Sequence, residues 1–203
     1  MTKSIDLKKA NSYLSRKDPV LKEIISKIDL KIEKKEVNYF LSLVESIVSQ
    51  QLSVKAADTI YARFVILFDK GIITPQNVLA KDKEQMRSVG ISYQKISYIK
   101  DLAEKVIESK EIFEKIDQLS DEDVIVELTK VKGIGRWTAE MFLMFTLNRP
   151  DVFSHGDLGL RNAIQKLYNL DNRPTVEEAE EISSIWSPYR TIACRYLWKS
   201  LDV

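Results

Sequence analysis

Six glycines and five prolines are all that this chain of 203 residues has to interrupt a helix cleanly. They make up about 5% of it, where the pair ordinarily accounts for about 12%, so turns are few and the segments between them long. Those segments carry helical periodicity: Val20, Leu21, Ile24, Ile25 and Ile28 share one face, as do Ile96, Ile99, Leu102, Ala103, Val106 and Ile107. Helix starts are well marked. Asp18-Pro19 and Ser187-Pro188 set an N-cap residue before a proline suited to the first helical position, while Asp82 with Gln85, Ser120 with Asp123 and Thr175 with Glu178 have capping-box spacing. The pattern predicts about ten helices and no confident strand, hence an all-α fold. Without a low-complexity linker or internal repeat, residues 1–203 read as one domain, with room for two interlocked lobes built from non-contiguous segments.

Composition removes several function classes. Apolar residues make up 44% and charged residues 30%, and no apolar run approaches the roughly 20 residues of a membrane span. Residues 1–14 contain neither the apolar core nor the cleavage site of a secretory signal, so the expected location is cytoplasmic or nuclear. One cysteine (Cys194) and one histidine (His155) cannot form an internal disulfide, a Cys/His zinc site or an iron–sulfur cluster. No metal site built from side chains is expected. The net charge of +1 is unevenly spread: residues 1–35 hold ten Lys/Arg against five Asp/Glu, 36–129 eleven against sixteen, and 130–203 ten against nine. A polyanion must therefore be held by a local patch and oriented backbone N–H groups, because no global field attracts it.

The most informative stretch runs from Leu128 to Glu140. An apolar helical end leads into Gly133-Ile134-Gly135, and a second helix starts at once. Two glycines around one aliphatic residue permit a tight hairpin with Ile134 turned inward, and the following helix offers free N–H groups to a phosphate. Lys132 and Arg136 add charge beside it; an ordinary turn between helices is the competing reading. Further on, Pro150 to Arg161 forms a loop feeding a helix, with Asp157 at or near its first turn. Asp157 is an N-cap on the plain reading, and a helix N-terminus also suits a working carboxylate.

Taken together, these pieces resemble one family. Lys132-Gly-Ile-Gly-Arg-Trp-Thr-Ala139 is similar to the helix-hairpin-helix motif of the DNA glycosylase superfamily whose members also carry a Gly/Pro-rich loop ending in a catalytic aspartate, and Val152 to Arg161 resembles that loop. Phe40 to Ala57 and Trp186 to Trp198 are similar to the early helix-turn-helix segment and the last helix of the 3-methyladenine branch, so the likeness spans roughly residues 35 to 200. Relatives that also cut the strand carry a lysine two residues after the second hairpin glycine; here that residue is Trp137, and an indole cannot form a Schiff base. Cluster-bearing relatives need four cysteines, and this chain has one. The remaining resemblance is to the monofunctional alkylbase class, DNA-3-methyladenine glycosylase II, in a short form.

That resemblance implies a two-lobed helical fold with an active-site cleft between the lobes, one from about 38–150 and the other from about 1–37 and 151–203. It implies hydrolysis of the N-glycosidic bond of alkylated purines in duplex DNA, initiating base excision repair, with Asp157 as the catalytic carboxylate. Gln51 becomes the plug filling the gap left by the flipped base, flanked by Gln50 and Leu52, and Ser92 opens a second minor-groove loop. Lys132, Gly133, Ile134, Gly135 and Arg136 become the backbone-holding hairpin; no cofactor is expected, save a monovalent cation that such a hairpin can hold. Trp137, Trp186, Tyr39 and Tyr93 are candidate walls for a cationic base, each with core packing as its alternative, and His155 is a candidate DNA contact. The implied partner is double-stranded DNA with alkylated bases, bound by a monomer. A non-catalytic helix-hairpin-helix DNA-binding protein is the rival reading.

Overall fold

The computed structural model describes residues 5–32 and 38–201, and among them every regular element is helical. In chain order these are α1 (Leu7–Lys17), α2 (Pro19–Lys27), α3 (Tyr39–Ser49), α4 (Val54–Ile66), α5 (Pro75–Ala80), α6 (Lys83–Ser88), α7 (Tyr93–Glu108), α8 (Lys110–Glu114), α9 (Asp121–Thr129), α10 (Arg136–Met141), α11 (Leu158–Leu167), α12 (Val176–Ser184) and α13 (Arg190–Lys199). The fold is all-α, as the periodicity requires. The helices outnumber the ten expected because α5, α6, α8 and α10 are only five or six residues long, too short to show a period. None of the described helices is long and apolar enough to cross a membrane.

The caps explain where most elements start. Asp18 accepts from the N–H groups of Val20 and Leu21, with Pro19 in the first turn, and Asp82 does the same for Glu84 and Gln85. Thr175 and Glu178 form a reciprocal capping box. Ser187-Pro188 is a correction: α13 begins at Arg190. Asp151 takes the Ser187 hydroxyl and the Arg190 N–H, Nε and Nη2 groups, which fixes that stretch as a turn ahead of the helix.

The chain divides into two compact units, and it changes from one to the other between Phe142 and Leu143. The first junction proposed from sequence, at about 37, lies outside the described residues. In the central unit, α3 packs on α4 and α7, α5 and α6 on α7, and α9 on α10. Its interior is Leu43, Val44, Ile47, Phe64, Val78, Ile96, Ile99, Leu102, Val124 and Leu128, all essentially inaccessible. Each such side chain stabilises the fold by about 1.5–3 kcal/mol relative to exposure. In the unit that joins the two ends of the chain, α1 packs on α2, α11 on α13, and α13 on both α1 and α2. Leu14, Leu21, Leu160, Ile164, Ile192 and Leu197 fill it. A buried polar centre sits among them: Asp18 Oδ2 accepts from Trp186 Nε1 at 2.8 Å and from the Tyr168 hydroxyl. Burial, and after it that hydrogen bond, push the Tyr168 phenol far above its ordinary range.

Candidate functional site

In the central unit the hairpin is built from backbone geometry and from side chains that reach it from outside. Ile134 is 4% exposed and points inward. Its N–H bonds Val131 O at 3.1 Å, closing the turn. Gly133 has φ +80°, and a Cβ there would stand 2.1 Å from the Tyr98 ring, so conformation and packing both require glycine. Gly135, by contrast, has φ −94° and open space where a Cβ would be. Asp101, an 8% exposed carboxylate on α7, accepts the Lys132 N–H at 2.9 Å and pairs with Lys132 Nζ at 3.1 Å. Arg136 is forked onto Glu122 at 3.0 Å and reaches Glu140 at 3.2 Å, so its charge is already met by two carboxylates.

The turn between α3 and α4 lies beside this hairpin. Gln51 is exposed, with φ +58°, a left-handed conformation unusual for a residue with a side chain. Leu52 is 39% exposed next to it. Gln50 is turned the other way, its Nε2 donating to Gly133 O at 2.9 Å. Ser92 caps α7 through the Lys95 N–H. Tyr93 is exposed with its hydroxyl on Glu84 and its ring under Arg87. Tyr39 meets Phe142 edge-on, and Trp137 is 50% exposed at the start of α10.

In the other unit, Asp157 caps α11. It is 8% exposed, and its Oδ1 accepts the Leu160 N–H at 2.7 Å and the Trp198 indole N–H at 3.0 Å. Gly159 makes room for this: a Cβ there would lie 3.1 Å from Asp157 Oδ1 and 3.3 Å from the Trp198 ring. The Trp198 ring also packs on Phe145, over which the Arg195 guanidinium sits at 4.5 Å. The preceding loop is set in the core. Val152, Phe153 and Ser154 are buried, and Thr191 accepts the Val152 N–H at 3.0 Å while donating to Arg149 O at 2.6 Å. The other carboxylate of this loop, Asp151, is paired with Arg190 at 2.9 Å.

Two residues named from sequence take different places. Trp186 has no accessible surface; its indole N–H is spent on Asp18 and its ring edge packs on Phe153. The expected pocket wall is thus a core residue of its unit. His155 stacks on Phe153 at 5.2 Å with Nε2 buried and unpartnered. Sequence reasoning missed Trp198, which meets Asp157 across 41 residues, and Asp101, which meets Lys132 across 31. No local pattern could have paired them.

Residues 44–188 match the HhH-GPD superfamily of base excision DNA repair proteins. The chain belongs to the HhH-GPD superfamily. Over 201 residues it is 39% identical to DNA-3-methyladenine glycosylase 1 of Schizosaccharomyces pombe, covering 96% of this chain and 87% of the relative. Its structure is similar to that of the Schizosaccharomyces pombe 3-methyladenine DNA glycosylase in complex with abasic DNA. The TM-score is 0.85 at 36% identity, over 96% of this chain and 97% of that one. The DNA-3-methyladenine glycosidase of Bacillus halodurans gives 0.82 at 37% identity, over 94% and 88%. The superfamily match encloses the Gln51 turn, the hairpin and Asp157, while Trp198 lies beyond its end.

Among the described residues no cluster of His, Cys, Asp and Glu could hold a metal ion. A cation at the hairpin would draw on backbone carbonyls, of which Val131 O already accepts Ile134 N–H and Gly133 O accepts Gln50.

Proposed function

We propose that this protein excises alkylated purines from duplex DNA by hydrolysing the N-glycosidic bond, leaving an intact abasic strand. The observation that carries the reading is the seat of Asp157: a nearly buried carboxylate at a helix N-terminus, its rotamer fixed by the Leu160 and Trp198 N–H groups on one oxygen. Purines alkylated at N3 or N7 carry positive charge and leave readily, so the enzyme needs little acid assistance. The carboxylate stabilises the oxocarbenium-like sugar and orients the water that attacks it. Gln51 fills the stack from which the nucleotide has rotated, and the N–H groups of Gly133 and Gly135, which alternate with the internally bonded ones of Lys132 and Ile134, hold the phosphate backbone. The exposed indole of Trp137 offers an electron-rich face to a cationic base, an attraction worth about 0.5–2 kcal/mol.

The absence of strand cleavage rests on which amines are engaged. Trp137 stands where a lyase would have its lysine. Lys95 and Lys132 are the alternatives, and both are bound: Lys95 Nζ donates to two backbone carbonyls and Lys132 Nζ pairs with Asp101. The protein acts as a monomer wherever the DNA is, in nucleoid or nucleus, and any monovalent cation at the hairpin serves binding only.

Chromatography of bases released from methylated duplex DNA tests this directly. Release of 3-methyladenine or 7-methylguanine, with no adduct trapped by borohydride, is the expected result. DNA binding without base release would make the chain a non-catalytic binder, and an adduct lost on mutating one lysine would make it a lyase.

A further inference from the structure

Gln50 and Gln51 are adjacent and chemically identical, yet the structure gives them opposite tasks. Gln51 projects to solvent from a left-handed turn. Gln50 reaches back across 83 residues and donates to Gly133 O at 2.9 Å. The same turn is gripped from below by Lys95, whose Nζ donates to Val48 O at 2.7 Å and Gln50 O at 2.6 Å, the carbonyls at the end of α3. Lys95 shares one face of α7 with Tyr98, against which Gly133 packs, and with Asp101, which holds the Lys132 N–H. A single helix face therefore carries both loops, and Gln50 closes the third side of the triangle. Burial pulls the Lys95 pKa below its ordinary value. That cost has no evident return except the two carbonyls, which a protonated amine satisfies better than any neutral donor could.

We infer that Gln50 is a latch and not a plug: with Lys95 it fixes the Gln51 turn to the hairpin, setting one spacing between the side chain that fills the emptied stack and the backbone that holds the phosphate. Gln50 and Lys95 are positioning residues for base flipping, acting through Gln51 and Gly133. The inference rests on the glycosylase reading above and adds to it. A hairpin alone can hold any duplex. Preference for a duplex with a missing base requires the plug to arrive at the right distance from the phosphates.

The test compares affinity for a duplex containing a tetrahydrofuran abasic analogue with affinity for the same duplex undamaged. Gln50→Glu keeps the size of the side chain but replaces the donor with a carboxylate facing Gly133 O. Lys95→Met keeps the stem and removes both hydrogen bonds. Each is expected to lower the abasic-over-undamaged ratio by about tenfold or more, the scale of one neutral hydrogen bond replaced by repulsion or of two charge-assisted ones lost, while undamaged-duplex affinity falls far less. Lys95→Arg, which can still donate to both carbonyls, should restore most of the ratio. Wild-type ratios in both variants, or equal losses on both duplexes, would overturn the inference. If Lys95→Met fails to fold, Gln50→Glu decides, because Gln50 is only half-buried. Failure of the glycosylase reading has a different signature, a wild-type protein that releases no base or shows no preference for the abasic duplex.

Discussion

The hairpin of residues 131–135 and the loop of residues 150–157 are both short connections into a helix, but they are held by different physics. The hairpin is pinned from outside by polar side chains reaching main-chain atoms: Asp101 on Lys132 and Gln50 on Gly133. The Asp157 loop is pinned from within, by buried Val152, Phe153 and Ser154 and by Thr191 beneath them. Of the hairpin N–H groups, those of Val131, Lys132 and Ile134 are bonded within the protein, so the turn is held by its own backbone and by side chains reaching in from its sides. A carboxylate that must meet one sugar atom gains from a rigid seat in packed core, where position is fixed at the cost of tolerance to mutation.

That contrast can be broken most forcefully at the glycines. Gly133→Ala forces a Cβ into the Tyr98 ring from a positive φ, and about 2–4 kcal/mol of stability should be lost, read by denaturant unfolding. Gly135→Ala has neither problem, so its unfolding midpoint should hold. Any loss of DNA affinity there reports how closely the phosphate approaches. Equal destabilisation by the two would show that the hairpin is not supported as described.

Next in size is Thr191→Val, which removes the two hydroxyl hydrogen bonds that tie Arg149 and Val152, at the start of the Asp157 loop, to a fully buried side chain. It should cost about 1–3 kcal/mol of stability and slow base release, with affinity for abasic duplex little changed. A slowed reaction without the stability loss would mean that the loop is held by something else.

How much of this was legible beforehand follows the same division. The all-α class, the Asp18 and Thr175 caps, the inward Ile134 and the N-cap position of Asp157 are local properties, written within a few residues of one another. Trp186 was misjudged because its fate depends on Asp18, 168 residues away. Ser187-Pro188 carries a sound helix-start signal that Asp151 overrides from 39 residues off, by tethering Arg190. Lys95, Asp101 and Trp198 gain their roles only when folding brings a carbonyl, an N–H or a carboxylate to them, and no spacing rule encodes that.

Smaller effects sharpen the account of the Asp157 seat. Trp198→Phe preserves the ring against Phe145 but loses the indole N–H on Oδ1. Stability should fall by about 1 kcal/mol, and the base-release rate several-fold more than substrate affinity. Smaller still is Cys194, whose thiol burial pushes well above its ordinary pKa. It should resist alkylation by iodoacetamide in the native protein and react only after unfolding. Rapid native labelling would mean that the core around Val152 opens readily.

The most direct measurement is single-turnover base release by Asp157→Asn on methylated duplex. Asparagine also caps helices and still presents an oxygen to the Leu160 and Trp198 N–H groups, so the fold and the affinity for an abasic-analogue duplex should persist. The release rate should fall by at least about 100-fold, the scale lost with a major electrostatic catalyst. Release at a near wild-type rate by this folded, DNA-binding variant would contradict the assignment of Asp157 as the catalytic carboxylate.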